Sequence, residues 1–174
     1  RQVQDTRVFD ADQCVGYSTG SYRESDGKMI EIIADISSNH NGDIRRAFKL
    51  IEEAAEAGCS VSKFQLFTAD TLYHRDHPNH RTIKSLELPE AWLSELKALS
   101  DTVGVEFMVT PFYPEAGDLL EKVGVKRYKI ASGDITYTKL LGTVGWTKKP
   151  VLLSTAHATV EEIRTAMNIL SVSG

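Results

Sequence analysis

One pattern constrains this chain more than any other: five times in a row, a short apolar run ends in polar residues and is followed by a helical segment. The runs are "MIEIIAD" (29–35), "SVSKFQLF" (60–67), "VEFMVT" (105–110), "RYKIAS" (127–132) and "PVLLST" (150–155). Runs this continuously apolar are buried on both faces, as in parallel sheets covered by helices. After the first run, Asp43 is placed to cap a helix with Ile44, Phe48, Ile51 and Ala55 at helical spacing, and Gly58 stops it. Pro89 opens a second helix carrying Trp92, Leu93, Leu96 and Leu99, ended by Gly104. Pro114 opens a third through Ala116, Leu119, Leu120 and Val123 to Gly124, and "TKLLGTVGW" is a short fourth. Thr159 and Glu162 form a capping box for a fifth, through Ile163, Met167 and Leu170.

Such alternation permits a doubly wound sheet or a (β/α)8 barrel. The loop after the first strand, "DISSNHNGD", has a single glycine and lacks the dinucleotide-binding fingerprint. The barrel is preferred, although a full one needs eight units in roughly 250 residues. The expected organisation is therefore α/β: a polar N-terminal extension at residues 1–28, then about five βα units of a TIM barrel at 29–174, the remaining strands being absent.

The polar residues gather at one end of the strands. Asp35, Lys63 with Gln65, Thr110, Lys129 with Ser132, and Ser154 with Thr155 all fall at strand C-termini. In a barrel that end builds the active site. Lys63 and Gln65 are two apart and share a strand face. Lysine is rarely buried without a partner, so Lys129, within the apolar "RYKIAS", needs one. Two lysines and several hydroxyls converging on one mouth neutralise an anion, most simply a phosphate or a carboxylate. A structural carboxylate, Asp35 or Asp134, is the bland partner for either lysine.

Other residues carry less. His74, His77 and His80 lie in a polar loop rather than on a helix, and a solvated loop or lid is a better reading than a metal site. His40 either borders the mouth or holds its loop, and His157 falls just past the fifth strand. Cys14 and Cys59 are too few for a disulfide framework and read as reduced thiols. The net charge of −4 leaves no basic footprint for nucleic acid. No apolar run approaches the roughly 20 residues that span a bilayer, and the N-terminus shows no signal peptide. The expectation is a soluble, cytoplasmic protein.

Taken together, "IIADISSNHNGD", "AGCSVSKFQLF", "VEFMVTPF", "YKIASGDIT" and "PVLLSTAHATVEEI" resemble the sialic acid synthase family, the phosphoenolpyruvate-condensing nonulosonate synthases. The resemblance covers residues 30 to about 168 and implies a (β/α)8 barrel that joins phosphoenolpyruvate to an N-acetylated amino sugar, N-acetylmannosamine or a relative, releasing phosphate. Carried over by motif position, Lys63, Thr110, Lys129, Ser132 and Ser154 hold phosphoenolpyruvate and Gln65 lies toward the sugar. Asp134 is the proton-handling acid and Asp35 the first-strand acid; many members have glutamate at both. Ala156 and His157 replace the glycine and methionine of the family's "STGMA" stretch. The resemblance also implies a divalent metal, manganese or magnesium, held by histidines on later strands outside this chain, a C-terminal antifreeze-like domain and a homodimer. On this reading the chain alone is inactive. Two alternatives stay open: a Schiff-base aldolase using Lys129 or Lys63, and a non-catalytic degenerate barrel serving as an interaction module.

Overall fold

A computed structural model of the chain describes residues 30–172. The N-terminal extension 1–28, Met29 at the head of the first run, and Cys14 lie outside the described residues. The account below concerns the unit Glu31–Gly174.

Five strands form one sheet: β1 (Ile33–Ser37), β2 (Val61–Leu66), β3 (Glu106–Pro111), β4 (Tyr128–Ile130) and β5 (Val151–Leu153). They are hydrogen-bonded in sequence order and every pairing is parallel. That order settles the choice between topologies. A doubly wound sheet reverses its strand order at a switch point, whereas a barrel adds each strand beside the last. The connecting helices are α1 (Ile44–Glu56), α4 (Leu93–Val103), α5 (Glu115–Val123) and α6 (Thr138–Trp146), with α7 (Val160–Val172) following β5. Between β2 and α4 come two short helices, α2 (Ala69–Leu72) and α3 (His80–Lys84), and a 3-10 turn, Glu90–Trp92.

The two faces of the sheet differ because side chains alternate along a strand. One set, Phe64, Leu66, Phe107, Val109, Tyr128 and Ile130, is buried in a single core with Leu93, Leu96, Ala116, Leu120, Leu140 and Val144 from the helices. Fully burying side chains of this size contributes about 1.5–3 kcal/mol each. Ser62, on the same face, meets Ser100 of α4 across 3.2 Å, which satisfies both buried hydroxyls. Tyr128 carries its hydroxyl to the far side of this layer, donating to Glu121 Oε1 at 2.6 Å and so anchoring β4 to α5.

The helix boundaries follow their caps. Asp43 accepts from the Arg45 amide and starts α1. Gly104 and Gly124 end α4 and α5 with φ of 82° and 80°, a left-handed conformation that glycine adopts without strain. Glu162 accepts from both the amide and the hydroxyl of Thr159, completing the capping box ahead of α7. Three expectations shift, the first being α7, where Ala166 is buried and Met167 exposed. In α1 the buried residues are Ala47, Ile51 and Ala54, while Phe48 and Ala55 lie at the flank of the core. Small side chains face the sheet there, so α1 lies close to it. In the second unit, Pro89 precedes the 3-10 turn and α4 proper begins at Leu93.

Candidate active site

The inner face of the sheet, turned away from the helices, carries the polar residues. Its odd-numbered members on β1, β2 and β4 and even-numbered members on β3 fall into register: Asp35 beside Lys63, Lys63 beside Met108, and Gln65 beside Thr110. Lys129 sits beside Leu152. Thr110 and Lys63 are buried. The register of β1 slips between Asp35 and Ser37, where Ser37 has a φ of 52°. A bulge of this kind ends pairing and re-aims side chains near functional sites.

Lys63 finds the bland partner. Its Nζ lies 2.6 Å from Asp35 Oδ1, with the lysine side chain 11% and the aspartate 59% exposed. Lys129 does not. Its ammonium folds back to donate to the Ile130 carbonyl at 2.7 Å and reaches across to Ser154 Oγ just past the end of β5. Both acceptors are neutral. Burial lowers its pKa, the neighbouring Lys63 charge lowers it further, and Asp35 opposes the shift. The Ile130 carbonyl also accepts the Ser154 amide at 3.1 Å, so this one oxygen takes both the last ladder bond from β5 and the lysine.

Asp134 closes a 3-10 turn, Ser132–Asp134, at the end of β4. Its Oδ2 is buried with no hydrogen-bond partner, and burial raises its pKa. A carboxyl so placed favours its protonated form. Ser132 and Gly133 line a cavity of about 280 Å³ with His157 and Glu162. His157 holds a left-handed φ of 62° there. Gln65 accepts from Ser38 Oγ at 3.5 Å, tying the loop after β1 to β2. The expected site residues thus divide: Asp35 with Lys63 and Lys129 with Ser154 are in direct contact, Gln65 and Thr110 are cross-strand neighbours, and Ser132 and Asp134 stand on the next turn.

His40 is fully buried and holds its own loop: Nδ1 accepts from the Gly42 amide at 3.1 Å, and the ring meets Trp92 edge-on. Its Nε2 has no partner, and burial lowers its pKa. Of the three loop histidines, His80 is not in an irregular loop but begins α3, with Nε2 3.0 Å from Asp70 Oδ1, which Arg75 also meets at 3.1 Å. His74 and His77 remain exposed. Among the described residues no group of three or more His, Cys, Asp and Glu is arranged to hold a metal ion. Cys59 is a free, partly buried thiol whose pKa burial raises.

A second charged cluster occupies the opposite, N-terminal end of the inner face, and the motif reading gave it no role. Arg127 donates through Nε to Glu106 Oε1 at 2.8 Å. Its two Nη groups clasp the Glu31 carboxylate, Nη1 to Oε2 at 2.8 Å. Glu31 precedes β1 and Arg127 precedes β4, so this contact crosses β2 and β3 through the interior and requires a curled sheet. The signal was present: Arg127 is two residues before Lys129 and so shares its face, and Glu31 and Glu106 stand at strand starts of matching parity.

No helix among the described residues is long and apolar enough to cross a membrane. Residues 50–174 match the model of the NeuB family. The N,N'-diacetyllegionaminic acid synthase of Legionella pneumophila is 36% identical over 151 residues, covering 79% of this chain and 42% of its own length. The enzyme of the same description from Campylobacter jejuni is 35% identical over 161 residues, covering 84% of this chain and 48% of its own. Among solved structures, the N-acetylneuraminic acid synthetase of Leptospira borgpetersenii superposes with a TM-score of 0.79 at 31% identity, covering 83% of this chain and 50% of that one. The chain spans less than half the length of these curated relatives.

Proposed function

The chain belongs to the NeuB family, and we propose that it forms the phosphoenolpyruvate-binding part of a synthase joining that molecule to an N-acetylated amino sugar. The observation that carries this reading is Lys129: a half-buried cation whose partners are a carbonyl and a hydroxyl rather than a carboxylate. Ser154 touches it, the Lys63 charge acts on it, and Thr110 and Ser132 fall at the same end of β3 and β4, a set of donors suited to a phosphate and a carboxylate on one small molecule.

In this reading Lys129 and Ser154 hold the phosphate, with Thr110 and Ser132 adding hydroxyl donors. Lys63, half neutralised by Asp35, steadies the enolpyruvate carboxylate. C3 of the enolpyruvate attacks the open-chain sugar aldehyde, whose oxygen takes a proton. Asp134 suits that donation, because burial keeps its proton on to a higher pH than an ordinary aspartate. Water then adds at C2, and the tetrahedral intermediate expels phosphate toward the lysines, where developing negative charge is offset. Gln65 faces the acceptor side, and Asp35 orients Lys63.

The described residues do not fit a divalent metal. The mouth presents two ammonium groups, which repel a cation, and the carboxylate of Asp35 is engaged by Lys63. The reading therefore places the ligands for manganese or magnesium outside this chain, and no step is routed through the ion. It likewise places the remaining strands and an antifreeze-like domain in the full-length protein, as a cytoplasmic homodimer, with the present chain inactive by itself. N-acetylmannosamine is one acceptor within the class; a diamino sugar, as in the legionaminic acid relatives, is another.

The test is phosphate release from phosphoenolpyruvate by the full-length protein with manganese and a panel of N-acetylated hexosamines. Sugar-dependent release, lost in Lys129→Ala, supports the reading and names the acceptor. A folded protein that releases no phosphate with any sugar leaves the non-catalytic barrel as the better account.

A further inference from the structure

The two lysines of the mouth are chemically unlike each other. Lys63 is held against Asp35 at 2.6 Å, an ion pair that engages its Nζ with a carboxylate. Lys129 hydrogen-bonds to the Ile130 carbonyl and Ser154 Oγ, and Asp35 acts on it only at a distance, against burial and the Lys63 charge. Neither acceptor stabilises the ammonium as a carboxylate does. A lysine desolvated beside another cation is the arrangement that exposes a nucleophilic amine.

We infer that Lys129 is the carbonyl-reactive amine of this mouth, and that a small aldehyde carrying a phosphate group is captured there as an imine while Lys63 stays unmodified. The Nζ lone pair adds to the carbonyl carbon to give a carbinolamine, protons shift from nitrogen to oxygen, and water leaves as the C=N bond forms. No oxidant or reductant takes part, and hydrolysis reverses the step. The protonated imine retains the positive charge that Ser154 and the Ile130 carbonyl already face. For the aldehyde's phosphate the same face supplies the Lys63 ammonium, whose charge already acts on Lys129, and Thr110 one pair further along the strands. Burial and the Lys63 charge, which lower the Lys129 pKa, enlarge the free-amine fraction available to attack. The inference depends on the surroundings of one amine and goes beyond the synthase reaction. Its consequence is an off-switch: phosphorylated short-chain aldehydes silence the site until the imine hydrolyses.

The experiment treats the full-length protein with pyridoxal 5'-phosphate, reduces with borohydride and maps the modified peptides by mass spectrometry. The expected result is a label on Lys129. Pyridoxal lacking the phosphate should label about tenfold more slowly, the worth of roughly one charge-assisted hydrogen bond. Asp35→Asn, which removes the partner of Lys63, should bring up a second labelled peptide at Lys63. A label falling chiefly on Lys63 in the unaltered protein, or spread over surface lysines, overturns the inference. So does equal labelling by pyridoxal and its phosphate. Phosphate-dependent labelling of Lys129 that phosphoenolpyruvate fails to block supports the inference while counting against the synthase reading, so the two fail separately.

Discussion

At the N-terminal end of the inner face, one guanidinium stands between two carboxylates; at the C-terminal end, two ammonium groups share one. Arg127 spends its Nε on Glu106 and both Nη groups on Glu31, and its pKa is pushed up, foremost by the hydrogen bonds to Glu31. Lys129, two residues further along the chain and on the same face, has its pKa pushed down, foremost by burial. Asp134 does not redress the balance, because burial holds it toward its neutral form. Two residues apart, β4 and its lead-in thus carry one cation that the fold satisfies and one that it leaves wanting. The first is a device of architecture, and the second is an invitation to an anion.

The largest effect that sharpens this contrast is on turnover. Lys129→Met in the full-length protein is expected to lower phosphate release by about a hundred- to a thousand-fold, since removing one buried charged partner costs about 3–4 kcal/mol. Thermal melting should show no loss of stability, because the variant removes a cation that has no carboxylate. A destabilised variant would place Lys129 with Arg127 as a structural residue and erase the comparison.

Ligand binding comes next. Phosphoenolpyruvate at a hundred times its dissociation constant should stabilise the folded protein by about 2.7 kcal/mol, read as a rise in melting temperature. Arg127→Met should keep that increment and Lys129→Met should lose it.

Arg127→Met itself is expected to cost about 2 kcal/mol, between an exposed pair and a buried one, with the activity of the remaining folded protein little changed. This cost depends on pH in a definite direction. Hydrogen bonding from Arg127 holds Glu31 below its ordinary value of 4.5. The stabilisation is therefore complete above that value and is lost as the pH falls through the lowered native one. Denaturation curves of the two proteins should converge in acid. Curves that stay equally far apart there would show that packing, rather than charge, gives the clamp its worth.

The smallest effect on stability belongs to Asp134. Its raised pKa means that the ionised form destabilises the fold, fully so once the pH rises through the native value and not at all below the ordinary 3.8. Asp134→Asn should gain up to about 1 kcal/mol at neutral pH, with the gain vanishing in acid. The same variant should slow turnover sharply, in contrast to its stability.

Much of this was legible in local pattern. Continuous apolar runs announced the strands, and the ladder of polar residues at their ends announced the mouth, because burying a lysine such as Lys129 without recompense is too costly to be incidental. "TKLLGTVGW" corresponds to α6, Thr138–Trp146. What escaped the sequence was held by distant partners. Helices α2 and α3 are too short to persist on propensity; the amide of Ala69 donates to Glu87 at 2.5 Å, and His80 meets Asp70. The phase of α1 escaped because how closely a helix approaches a sheet decides whether Ala47 or Phe48 faces it. The pairing of Arg127 with Glu31 escaped because strand periodicity assigns a face but not a partner on another strand.

That same pairing sets a clock. Glu31 and Arg127 are 96 residues apart in the chain, and at the usual synthesis rate of about 5–20 residues per second the acid emerges from the ribosome roughly 5–20 s before its base. Only at the end of that interval, once Pro111 has been made, do β1, β2 and β3 exist together without the chord that spans them. The charge pair that spans the sheet is thus a late arrival in biogenesis, made by the residue just ahead of the strand that brings Lys129, so the clamp and the pocket lysine emerge together.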